Sequence, residues 1–161
     1  MADVTPNLVA EPLERSQTSL TVVVPTYRRD GVLLETLQHV FALSPPASEI
    51  IVVDQTEQHS NQVSHALDSW QASGRMRWLR LKDPSIPGAM NRGLLEASHP
   101  IVLFVDDDVV PHPGLAEAHV SALKKTGAAL VAGRVIQPWQ AGRGFLNEHC
   151  FHFASPRPSW I

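Results

Sequence analysis

Ile101-Val102-Leu103-Phe104-Val105-Asp106-Asp107-Asp108 is the stretch that decides the fold. Its apolar run, mostly β-branched or aromatic, predicts a short strand buried on both faces. Asp106, Asp107 and Asp108 then stand where that strand emerges. Two unit charges about 4 Å apart repel by about 1 kcal/mol in water, and by about 4 kcal/mol at an effective dielectric near 20. Such a cluster is tolerated if the carboxylates splay into solvent as a turn, closed here by Pro111 and Pro113, or if a cation sits between them. The spacing Asp-x-Asp lets two carboxylates converge on one hard divalent ion, which favours oxygen ligands. A metal site is the expectation, with a solvated turn as the alternative.

Outward from that strand, the same pattern repeats. Leu20 to Val24 reads as a first strand stopped by Pro25, and residues 26–29 as a loop at its carboxyl end. Asp30 is placed to cap a helix through Leu43, with Leu33, Leu34, Leu37, Val40 and Phe41 at helical spacing. Glu49 to Val53 reads as a second buried strand with Asp54 at its exit, and Asn61 to Ser73 as a helix. Arg75 to Leu81 is a third strand, residues 82–87 a loop with two prolines, and Gly88 to Ser98 a helix. Beyond the aspartates, Leu115 to Lys125 reads as a helix and Ala128 to Ile136 as a fifth strand.

Strand alternating with helix predicts an α/β fold: three layers, α/β/α, around a mainly parallel, Rossmann-like sheet. Residues 19–136 form that domain, residues 1–18 a loose lead-in, and residues 137–161 an irregular segment. In such sheets ligands sit outside the carboxyl ends of the strands. Those ends carry Pro25 to Arg29, Asp54, and Asp106 to Asp108.

Composition narrows the class. A chain of 161 residues with 43% hydrophobic and 18% charged residues suits one globular domain. The net charge of −3 is spread without basic clusters, which gives nucleic acid no electrostatic footing. Cys150 stands alone, so no intrachain disulfide is expected and a reducing compartment fits. No basic stretch with an apolar run opens the chain, so no secretory leader is expected. Aliphatic runs fall far short of the ~20 residues of a membrane helix, and a soluble chain is expected.

Val24-Pro25-Thr26-Tyr27-Arg28-Arg29, Val52-Val53-Asp54, Gly88-Ala89-Met90-Asn91-Arg92-Gly93 and Phe104-Val105-Asp106-Asp107-Asp108 together resemble a family 2 glycosyltransferase of the GT-A fold. The likeness runs from Ser19 to Gly133, and departs from the family where Met90 replaces a frequent arginine. It implies transfer of a sugar from a nucleoside diphosphate sugar, UDP- or dTDP-linked, to a glycan or lipid-linked acceptor. It also implies polysaccharide or cell-envelope assembly in the cytoplasm, at the membrane face, by peripheral association.

The resemblance assigns roles. Pro25, Thr26, Tyr27 and Arg28 would lie along the nucleotide, with Tyr27 near the base; the alternative packs Tyr27 on the first helix. Asp54 would accept a hydrogen bond from the base NH, favouring uracil or thymine; the alternative is a turn aspartate. Asp106 and Asp108 would hold Mg²⁺ or Mn²⁺ against the diphosphate, with Asp107 supporting the ribose or sugar. Asn91 would bind donor or cap the neighbouring loop. Arg28 and Arg29 would offset phosphate charge or stand solvated.

Two clusters carry less. His149-Cys150-Phe151-His152 lacks the paired spacing of a structural zinc site. Trp139, Phe145 and Phe153 suit sheet edges better than a sugar platform.

An inverting transfer needs a carboxylate base for the acceptor hydroxyl. Only 53 residues follow Asp108, and their acids are Glu117, on a helix face, and Glu148, which nothing around it marks as the family's base. The expectation is therefore a donor-binding half that ends early, with poor solubility or self-association where an acceptor half should cover it. The alternatives are a nucleotide-sugar-binding module without transfer activity and a receiver-like phosphoacceptor domain. The latter would want acids after the first strand, where Thr26-Tyr27-Arg28 stands.

Overall fold

Runs of β-branched residues alternating with helical-period segments build the expected parallel sheet. The computed structural model describes residues 18–136 and 152–153. The elements are β1 (Thr18–Thr26), α1 (Asp30–Phe41), β2 (Ala47–Asp54), α2 (Asn61–Ala72), β3 (Arg77–Arg80), α3 (Ile86–Glu96), β4 (Ile101–Phe104), α4 (Leu115–Thr126), β5 (Val131–Ala132) and β6 (His152–Phe153). The main sheet runs β3-β2-β1-β4, all parallel, so β1 is flanked on both sides.

Side-chain alternation along the strands divides the core. Val22, Val24 and Val52 face one layer with Leu33, Leu37 and Val40 of α1, Val63 and Leu67 of α2, and Ala116 and Val120 of α4. Val23, Ile51 and Val53 face the opposite way, onto Ala89 of α3. The three-layer arrangement thus follows from the period of two in consecutive valines and isoleucines. No helix among the described residues is long and apolar enough to cross a membrane.

Several sequence expectations are corrected. Pro25 does not stop β1 but pairs with Val53 inside it. Val23 O accepts from Val105 N–H toward β4, and Thr26 O accepts from Gln55 N–H toward β2. By alternation Pro25 faces the β4 side, one step past the last hydrogen bond there, so its missing N–H breaks no ladder. Asp30 does not cap α1; it is the first helical residue, and its carboxylate accepts from Ser60 N–H at 2.7 Å, the N-cap residue of α2. Pro87 belongs to the first turn of α3, where a missing N–H costs nothing.

The Ile101 strand is half-buried rather than enclosed, because among the described residues β1 is its one sheet neighbour; Leu103 and Val105 alone are buried there. The fifth strand shrinks to Val131–Ala132 and pairs antiparallel with β6, outside the main sheet. Residues 1–17 and 137–151, with Trp139, Phe145, Glu148, His149 and Cys150, lie outside the described residues, as do the side chains of His152 and Phe153.

At the amino ends of the strands, Glu49 accepts from Thr21 Oγ1 at 2.7 Å, Ser98 N–H at 2.8 Å and Arg77 Nη1 at 2.9 Å. Burial acts to raise its pKa, but these donors overcome burial and hold the carboxyl down to about 2. Glu49 thereby ties β1, β2, β3 and the approach to β4 at the end opposite the candidate site.

Gly93 sets how closely α3 lies on the sheet. A Cβ there would stand 2.3 Å from Val23 Cγ1. We expect Gly93→Ala to destabilise the fold by about 1–3 kcal/mol despite the better helix propensity of alanine. Urea titration of Gly93→Ala, Val23→Ala and the double variant should show the double costing less than the sum of the singles. Additive costs would mean that the two positions do not meet.

Candidate functional site

Parallel strands bring their carboxyl ends to one edge, and three polar exits meet there: Thr26 to Arg29 from the last residue of β1, Asp54 to Thr56 from the last residue of β2, and Asp106 to Asp108 after β4. The edge divides into an acidic corner beside β4 and a cleft beside β2 and β3.

In the acidic corner the chain leaves β4 at Phe104 and turns at Asp107 and Asp108. Asp106 and Asp108 face solvent while Asp107 turns inward. Asp107 accepts from Thr26 Oγ1 at 2.5 Å and from the Tyr27 N–H, and lies 3.9 Å from Arg29 Nε. Burial pushes its pKa up and the Asp108 charge adds to this, while the Thr26 hydroxyl, Arg29 and the Tyr27 N–H pull against both. Asp107 and the buried Thr26 therefore bind together the exits of β1 and β4. Arg29 Nη2 also reaches Asp108 at 3.4 Å, a contact that draws two of the three charges toward one cation.

Among the described residues no group of three or more His, Cys, Asp or Glu is assembled as a metal cage. Asp106 and Asp108 nonetheless offer two solvent-exposed carboxylates two positions apart. That donor set fits Mg²⁺ or Mn²⁺, ions that are commonly bound by one or two carboxylates and complete their shells with water and phosphate oxygens.

The cleft, about 760 Å³ and open to solvent, is lined by Tyr27, Arg28, Gln55, Thr56, Arg80 and Lys82 among others. Tyr27 is 38% exposed, so it is not packed away against α1, and the Arg28 guanidinium lies 5.0 Å over its ring. Arg28 adopts φ 56°, a left-handed conformation that costs a non-glycine residue about 1–2 kcal/mol. Its N–H is held by Thr56 Oγ1 at 2.8 Å. The strain sits where the backbone turns from β1 into the cleft.

Beneath the cleft floor lies a cluster absent from the sequence reading. Asp54 is 0% exposed. Its Oδ1 accepts from Thr56 N–H at 2.8 Å; its Oδ2 lies 2.7 Å from His59 Nε2 and accepts from Trp78 Nε1 at 2.9 Å. His59 Nδ1 meets Asp30 on its other side. Asp54 thus serves its own chain: it fixes the loop that supplies Gln55 and Thr56 to the cleft. The signal in the sequence was an aspartate at a strand exit followed at i+5 by histidine, together with one tryptophan on β3, and only the sheet register brings the three together.

Asn91 stands exposed in the middle of α3, and the helix is capped by Ser85, whose Oγ accepts from Gly88 N–H at 3.2 Å. Glu117 is exposed in the first turn of α4 and is the one acid among described residues after Asp108.

Comparison with known proteins bears on this edge. The profile of the family described as Glycosyl transferase family 2 matches residues 21–152. Glycosyltransferase AglE of Haloferax volcanii is 28% identical over 123 residues, which span 72% of this chain and 39% of AglE. Mannosyltransferase PcManGT from Pyrobaculum calidifontis, solved in complex with GDP-Man and Mn²⁺, superposes with a TM-score of 0.62 at 24% identity, over 75% of this chain and 36% of PcManGT. S. aureus TarS 1-349 in complex with UDP superposes with a TM-score of 0.58 at 22% identity, over 73% of this chain and 38% of that 1-349 chain. The chain thus spans about two-fifths of the length of these relatives.

Proposed function

Because the chain belongs to glycosyl transferase family 2, we propose that its sheet edge is the donor site of a sugar transferase, binding a nucleoside diphosphate sugar together with Mg²⁺ or Mn²⁺. The observation that carries this reading is the meeting of two solvent-facing carboxylates with an open, arginine-lined cleft at the carboxyl ends of β1, β2 and β4. AglE and PcManGT support the sugar-transfer class, and the nucleotides seen with PcManGT and TarS support the donor class. Acceptors consistent with the class are glycans and lipid-linked sugars.

In this reading Tyr27 presents its face to the base, and stacking is sequence-tolerant because every base has a π-face. Arg28, Arg29 and Lys82 lie where diphosphate charge accumulates. Asp106 and Asp108 would hold the ion, which when bound supplies Lewis-acid stabilisation of the diphosphate leaving group. Asp107 and Thr26 keep those two carboxylates in place, and Asp54 keeps the cleft floor in place. Asp54, being sealed, contributes to base recognition through Thr56 and Gln55 rather than by touching the base.

Calorimetric titration with UDP and with GDP, each with Mn²⁺, tests the donor site. Tyr27→Ala is expected to weaken binding by about 1–3 kcal/mol, roughly 5- to 150-fold. Undiminished affinity in that variant would remove Tyr27 from the base site.

A further inference from the structure

His59 is almost fully buried, with its side chain 1% exposed, yet it touches an acidic oxygen on each side. Nδ1 meets Asp30 Oδ1 at the start of α1, and Nε2 meets Asp54 Oδ2 at the end of β2. A neutral imidazole carries one N–H, so it can donate to one of these carboxylates and must turn a lone pair toward the other. Only the imidazolium donates to both. With the ring neutral, one of the two carboxylates, the sealed Asp54 or the partly exposed Asp30, would face a lone pair and lose its hydrogen bond from the ring.

The surrounding elements each contribute to this environment. From α1 comes Asp30, from β2 Asp54, and from β3 the Trp78 ring at 6.2 Å, with the Arg80 guanidinium stacked 5.3 Å over that ring. From α2 comes Ser60, whose N–H donates to Asp30. His59 itself sits within the loop between β2 and α2 that carries Gln55 and Thr56.

The geometry points to His59 as a positioning residue whose protonated ring clamps the loop after β2 between α1 and the sheet, so that the nucleotide cleft is fully formed only while the ring holds its proton. The inference rests on the donor-site reading for its functional consequence. The Arg28 N–H is held by Thr56 Oγ1, and Thr56 N–H by Asp54, so loosening the loop also releases the strained turn after β1. Burial works against the charged ring, but Asp30 and Asp54 outweigh it and raise its pKa above the ordinary histidine value. Asp30 is correspondingly lowered, burial opposing and the Ser60 N–H and His59 prevailing. The raised histidine sets the sign. The clamp is complete below the ordinary histidine range and is lost as pH rises through the folded pKa.

The test follows wild type, His59→Gln and Asp30→Asn across pH 5.5 to 8.5 by two readouts. The first is NMR, tracking the His59 ring and the Thr56 and Arg28 amides. The second is calorimetric affinity for UDP and GDP with Mn²⁺. In wild type the amides should move with the ring's midpoint, and affinity should fall by roughly three- to tenfold per pH unit above it. Asp30→Asn should move both midpoints down by about one unit, since one of the two anions is gone. His59→Gln, which cannot titrate, should remove the amide transition and flatten the affinity profile relative to wild type. Amides indifferent to the ring, or an Asp30→Asn profile identical to wild type, would overturn the inference. If neither nucleotide binds at any pH, the donor reading fails, while amides that follow the ring still uphold the clamp.

Discussion

Asp54→Ala is expected to cost about 3–5 kcal/mol of folding stability, the size typical of removing one partner from a buried charged cluster. The side chain is sealed from solvent and receives Thr56 N–H, His59 and Trp78 Nε1. Truncation leaves the Thr56 N–H, the Trp78 Nε1–H and the Nε2 side of His59 without that acceptor, and His59 then keeps Asp30 alone. Asp54→Asn retains the shape and one carbonyl oxygen, so it should cost roughly half as much. Urea denaturation with an unchanged m-value reads both. A loss below about 1 kcal/mol for Asp54→Ala would mean that Asp54 is free to meet a ligand, as a base-binding residue needs. The structure assigns it instead to holding the loop.

What the sequence reveals here, and what it hides, follows from locality. The strands and helices were legible because Val22-Val23-Val24 and Ile50-Ile51-Val52-Val53 are continuous apolar runs, and because Leu33, Leu37 and Val40 mark one helix face. That Asp107 alone of the three aspartates is buried was not legible, because the chain turns at Asp107 and Asp108 and strand periodicity ends with β4. The partners of Asp107 and Asp54 were not legible. Thr26 lies 81 positions from Asp107, and Trp78 lies 24 from Asp54, and only the register of parallel strands sets them side by side. Pro25 was misread because a proline's effect on a strand depends on which neighbour its missing N–H faces, and that is a property of the sheet. Asp30 was misread because a helix-start aspartate can serve another helix. The fifth strand failed as an expectation because apolar residues between 128 and 136 say nothing about which sheet will take them. Leu130, Val135 and Ile136 remain exposed.

The second large effect concerns the acidic corner. Asp106 and Asp108 are solvent-facing, and Asp108 meets Arg29 at 3.4 Å. Replacing both with asparagine should leave the fold intact, because neither carboxylate is buried and exposed ion pairs contribute about 0–1 kcal/mol. The same change removes two anionic oxygen donor groups from the proposed ion site. Losing even the outer hydrogen-bond partners of metal ligands commonly costs 10- to 100-fold, so losing two ligands should cost more than about 100-fold in metal-dependent affinity.

Calorimetric titration of wild type and Asp106→Asn/Asp108→Asn with UDP and GDP, with and without Mn²⁺, is the most direct measurement. Nucleotide binding that requires Mn²⁺ in wild type, and that disappears in a double variant with an unchanged circular dichroism spectrum, is the predicted result. Nucleotide binding of equal strength in the two proteins, or none in folded wild type with the metal present, would contradict the donor-site assignment.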